Sequence, residues 1–105
     1  YGSSTIPMDE TLALCAVDLC GRPYLGYDAE FTVEKLGYLD TELIREFFYA
    51  VSYSAGMNLH LRMLASGNNH HMAEAMFKAF GRALDEAVTV DPRIIGQLSS
   101  KGTLA

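Results

Sequence analysis

Between Met57 and Val88 the apolar period of this chain changes from two residues to about 3.6. No other feature constrains the fold as tightly. In Met57–Ala65 (MNLHLRMLA), Leu59, Leu61 and Met63 face one way and Asn58, His60 and Arg62 the other, the pattern of a half-buried strand. Gly67-Asn68-Asn69 reads as a turn, and either asparagine can cap a helix starting there. From His70 to about Val88 the chain is free of proline and rich in Ala, Met, Phe and Leu, which predicts a long helix. Its apolar stripe is Met72, Ala75, Met76, Ala79, Phe80, Ala83, Leu84 and Ala87. Strand and helix must therefore pack face to face, the helix with one side only.

The rest of the chain supplies partners for that pair. Residues 1–10 are small and polar and form an entry strand or loop. Thr11–Leu19 is an apolar strand, and Arg22–Phe31, with Tyr24, Tyr27 and Phe31, is a second extended stretch. Cys20-Gly21 between them predicts a tight hairpin turn. A helix is expected from Asp40, its N-cap, to Ala55, with Leu43, Phe47, Phe48 and Val51 turned inward and Gly56 as its stop. Two strands, helix, strand, helix is an α+β order: a small, mostly antiparallel sheet with two helices on one face. At 105 residues the expectation is one domain, residues 1–105, burying roughly two-thirds of its unfolded surface.

A formal net charge of −5 argues against a nucleic-acid footprint and fits a cytoplasmic protein. No apolar run approaches the roughly 18 residues of a membrane helix. Tyr1-Gly2-Ser3-Ser4 does not read as a signal peptide. Cys15 lies in an apolar run and Cys20 precedes a turn glycine; both read as reduced, structural thiols.

The chemistry gathers at His70-His71-Met72-Ala73-Glu74-Ala75-Met76-Phe77-Lys78. On a helix His70, Glu74 and Lys78 share one stripe, because residues four apart are neighbours. His71 points about 100° away around the axis. Such a helix can offer His70 and Glu74 to one metal ion and His71 to a second. Imidazole with carboxylate suits Mn, Fe or Zn. The residues alone leave open the plainer alternative of solvated histidines. They do not form the His-Glu-x-x-His zinc pattern.

The same segment, from Gly67 to Phe80, resembles imidazoleglycerol-phosphate dehydratases of histidine biosynthesis. Pro7-Met8-Asp9-Glu10, Asp18-Leu19-Cys20-Gly21-Arg22-Pro23-Tyr24, Asp40-Thr41-Glu42-Leu43, Asn58-Leu59-His60 and Ser99-Ser100-Lys101-Gly102 resemble further blocks of that family, in order. The resemblance is to the second half of a duplicated fold, one repeat of the ribosomal-protein-S5-domain-2-like kind. It implies dehydration of imidazoleglycerol phosphate to imidazole acetol phosphate at a di-manganese (Mn2+) site between the subunits of a homo-oligomer. It implies His70, His71 and Glu74 as metal ligands, with Glu74 also among the catalytic groups. Lys78 and Asp9 would lie by the substrate, and Arg22, Ser99, Ser100 and Lys101 on its phosphate. Glu46 falls where the family often has a ligating histidine, and is either a ligand or an exposed helix carboxylate. His60 matches no family ligand and reads as structural. Because only one half is resembled, an alternative stays open: a metal-binding, self-assembling half-module without turnover.

Overall fold

The computed structural model describes residues 1–94. Its elements are β1 (Gly2–Met8), β2 (Thr11–Asp18), β3 (Tyr24–Asp28), β4 (Lys35–Leu36), β5 (Leu39–Asp40), α1 (Thr41–Ser54), β6 (Asn58–Ala65) and α2 (Asn69–Val88). Four strands form one sheet in the order β1-β2-β6-β3, and β4 and β5 pair as a small separate ribbon. The β1–β2 and β2–β6 pairings are antiparallel, and β3–β6 is parallel. This is the expected α+β architecture.

Strand alternation decides which side of the sheet the helices cover. Thr11, Ala13, Cys15 and Val17 of β2 are buried, as are Leu59 and Leu61 of β6. They form one core with Ile44 and Phe48 of α1 and Ala75, Met76, Ala79 and Ala83 of α2. Alanines at three of these α2 positions let the helix approach the sheet closely. Gly2 marks the closest approach: a Cβ there would lie 2.2 Å from the Ala83 carbonyl oxygen. Beside it the Ser4 hydroxyl donates to the Ala79 carbonyl at 2.6 Å. Both cysteines are free, and burial pushes the Cys15 thiol up to about 12.

Two sequence expectations need correction. The Cys20-Gly21 turn does not join neighbouring antiparallel strands. Gly21 turns the chain, at φ 81°, but β3 lands on the far side of β6 and runs parallel to it. Parallel strands need a long crossover, and α1 provides it. The true hairpin is β1–β2, closed at Asp9-Glu10, with Asp9 at φ 49°. A left-handed residue suits so short a turn, and aspartate tolerates it better than most side chains.

The second correction is the rotation of α1. Ile44, Phe48 and Ser52 are its buried residues, whereas Leu43 and Phe47 are 51% and 45% exposed. Rows 43/47/51 and 44/48/52 are both largely apolar, and the sheet receives the second. Phe47 instead meets aromatic rings of both helices, with ring centroids 5.2 Å from Phe48 and 5.6 Å from Phe77.

The helix ends obey local chemistry. Asp40 is the N-cap of α1 by position but makes no side-chain cap bond; Gly56, at φ 62°, comes just after the helix end as expected. Of the two candidate caps for α2, Asn68 is used: its side chain accepts from the His71 N–H at 3.0 Å. Asn69 instead brackets Thr32, taking its backbone N–H and donating to its hydroxyl, both at 2.9 Å.

Candidate metal centre

The first turn of α2 stands at the end of the sheet where β1 turns into β2. The expected stripe is formed. His70 Nε2 lies 3.4 Å from Glu74 Oε2, and Glu74 Oε1 lies 3.3 Å from Lys78 Nζ. Glu74 thus bridges an imidazole and an ammonium along one exposed face.

His71 turns elsewhere, its ring centroid 6.4 Å from that of His70 and the planes 69° apart. Its Nδ1 lies 3.0 Å and 3.1 Å from the two carboxylate oxygens of Glu10, and its Nε2 lies 3.6 Å from Asp9 Oδ2. Glu10 also accepts the Asn68 backbone N–H at 2.7 Å. That bond, the Glu10 backbone N–H and His71 together hold the Glu10 carboxyl down at about 2.

Asp9 therefore stands beside His71. Glu10 is a candidate site residue that the sequence motifs alone do not single out. Its one signal is adjacency to Asp9 in the Pro7-Met8-Asp9-Glu10 block. One ligand atom each from Asp9, Glu10 and His71 lies within 4.8 Å of the others. Imidazole nitrogen with carboxylate oxygen is a donor set that suits Mn, Fe or Zn, so these residues fit a divalent ion.

Other candidates are not brought to this place. Glu46, on α1, sits 4.0 Å from its neighbour Arg45; among the described residues it joins neither histidine group. Arg22 lies at the opposite end of the sheet. It precedes Tyr24, whose N–H donates to the Met57 carbonyl just before β6 begins, whereas His70 and His71 come after the end of β6. Seven strand steps separate those ends, roughly 23 Å at ~3.3 Å per residue. Ser99, Ser100 and Lys101 lie outside the described residues. His60 packs on the outer sheet face, 5.5 Å from the Tyr24 ring. Among the described residues no helix is long and apolar enough to cross a membrane.

Fold and site together define an α+β unit that presents a His-His-x-x-Glu helix beside a pair of turn carboxylates. The imidazoleglycerol-phosphate dehydratase family model matches residues 1–84. The chain belongs to that family. It is 68% identical over 104 residues to the imidazoleglycerol-phosphate dehydratase of Lachnoclostridium phytofermentans, covering 99% of this chain and 53% of that protein. It is 60% identical over 104 residues to that of Listeria welshimeri, covering 99% and 54%. The crystal structure of the Staphylococcus aureus enzyme superposes with a TM-score of 0.84 at 52% identity, over 87% of this chain and 54% of that one. IGPD from Pyrococcus furiosus, in complex with (S)-C348, also gives 0.84, at 33% identity over 98% and 56%. The chain spans about half the length of the curated relatives it matches.

Proposed function

We propose that this chain forms one half of an imidazoleglycerol-phosphate dehydratase, a carbon–oxygen lyase of histidine biosynthesis. Residues 1–105 act as one domain, a half-repeat working in the cytoplasm. One observation carries the reading: a single helix presents His70 with Glu74 in one direction and His71 with Asp9 in another. Imidazoles that diverge in this way would hold two ions rather than share one.

His70 and Glu74 would hold one Mn2+ and His71 the other. Bound there, the ions would supply Lewis-acid stabilisation of negative charge on the substrate imidazole. The chain's own groups do the rest. Glu74 keeps His70 and Lys78 on one stripe, and Lys78 offers a fixed positive charge toward the substrate. Asp9, exposed and next to His71, would accept a proton. Arg22, Ser99, Ser100 and Lys101 would take the phosphate, a group suited to an arginine fork and a lysine charge. Arg22 and the histidines lie at opposite ends of the sheet within one copy, so a complete site draws on more than one chain. A homo-oligomer with metal at its interfaces meets that need.

The same separation favours a second reading, a metal-binding assembling half-module without turnover. Glu46, which among the described residues joins neither histidine group, would then be a plain surface carboxylate. Turnover of imidazoleglycerol phosphate with added Mn2+ separates the two. Aligned catalytic groups act as a unit, so little or no activity is expected from the chain alone. Adding the N-terminal half of a relative in trans should raise it. Family-like turnover by the chain alone would show that the other half is dispensable. No response to either addition would leave the non-catalytic module standing.

A further inference from the structure

We infer that Glu10 is a positioning residue that selects the tautomer and ring orientation of His71, leaving Nε2 as the ring's free electron pair. For metal binding this rests on the reading of His71 as a ligand; the tautomer itself does not.

Glu10 is held from three sides. Its carboxylate takes the Asn68 backbone N–H at 2.7 Å and faces His71 Nδ1 at 3.0 and 3.1 Å. Gly67 leaves the space it occupies: a Cβ there would lie 2.4 Å from Glu10 Cγ and 2.6 Å from Oε1. Asn68 in turn accepts the His71 backbone N–H, so the anchor of the carboxylate and the anchor of the helix are the same residue. An ionised carboxylate can only accept, so the proton between it and His71 belongs to Nδ1. A neutral imidazole carries a single N–H, which makes Nε2 an acceptor.

Nε2 meets Asp9 Oδ2 at 3.6 Å, beyond hydrogen-bond length. In that tautomer two electron-pair donors face one another with no proton between them. A cation, or a proton on a bound ligand, satisfies both. Ligating histidines commonly donate their second ring N–H to a carboxylate in this way, which fixes the ring and raises its basicity. The turn between β1 and β2 therefore sets the chemistry of a helix that begins 59 residues after Glu10, counting from Glu10 to Asn69.

The test is long-range proton–nitrogen NMR of the His71 ring in the metal-free full chain at neutral pH. The wild type should show Nδ1 protonated and Nε2 bare. Glu10→Ala should shift the population toward the Nε2–H form, and Gly67→Ala should do the same by displacing an unchanged Glu10. Glu10→Gln, which keeps an acceptor oxygen, should retain more of the Nδ1–H form than Glu10→Ala. Unchanged β2 and β6 amide shifts would show that each variant is folded. A wild-type ring protonated at Nε2, or a tautomer ratio indifferent to Glu10→Ala, would overturn the inference. Calorimetric titration with Mn2+ then addresses the ligand reading separately. Glu10→Ala should weaken binding by about ten- to a hundredfold. A tautomer shift with no Mn2+ binding in either protein would uphold the positioning role and remove His71 from the metal site.

Discussion

His70 and His71 are consecutive, yet their rings stand 6.4 Å apart with planes 69° from parallel, one against Glu74 and the other against Glu10. The helical rotation of about 100° per residue separates them, and each is then taken up by a different carboxylate. The site is thus two small clusters on one helix.

If both clusters bind metal, removing either imidazole should have a distinct effect. His70→Ala and His71→Ala should each weaken Mn2+ binding in calorimetry, and the double variant should abolish it. Binding should release protons and weaken on acidification, because ligands must be deprotonated. Isotherms indistinguishable from wild type would take the two histidines out of the metal site.

The Glu10 carboxyl should titrate near 2 in the folded chain, well below its usual 4.5. A carboxyl whose value is depressed on folding stabilises the fold fully above about 4.5, and that contribution is lost as pH falls toward about 2. Carbon-13 carboxyl shifts across an acid titration measure it directly. Glu10→Gln should make stability less dependent on pH in that window. A midpoint near 4.5 would mean that the Asn68 and His71 contacts do not persist in solution.

Gly2→Ala should destabilise the fold. Its Cβ would lie 2.2 Å from the Ala83 carbonyl oxygen and 2.8 Å from the Ala87 nitrogen, so α2 would have to lift off β1. Overpacking of this kind costs about 1–3 kcal/mol. Urea denaturation should show a lower midpoint with little change in slope. An unchanged midpoint would mean that α2 is not held against β1 in this way.

The two aromatic neighbours on α1 should separate core from surface. Phe48→Ala should cost about 3–5 kcal/mol, since Phe48 is fully buried. Phe47→Ala should cost the isolated fold much less. Leu43, Phe47 and Phe77 are all exposed and apolar, and Phe47 contacts Phe77, so they form a patch suited to burial against another chain. Light scattering should therefore show self-association, strengthened by Mn2+ and reduced by Leu43→Glu with Phe47→Glu. A stable monomer with and without Mn2+ would count against assembly through this face.

The elements legible from residue order are those whose signal is local. The period of β6 and α2 survives into the fold because alternation and the 3.6-residue repeat each define one buried side. The His70–Glu74–Lys78 stripe is legible for the same reason, since i and i+4 meet on any helix. Three features required the folded chain. Alternation tells a strand which face to bury and says nothing about its neighbour, so the pairing of β3 with β6 depended on the α1 crossover. Leu43-Ile44 and Phe47-Phe48 give α1 two adjacent apolar rows, and only the sheet beneath chose Ile44 and Phe48. Glu10 and His71 lie 61 residues apart, and no periodicity links them. They meet because β1 and β2 turn at the same end of the sheet where β6 hands over to α2, so the partner of the second histidine is a property of the packed sheet and helix.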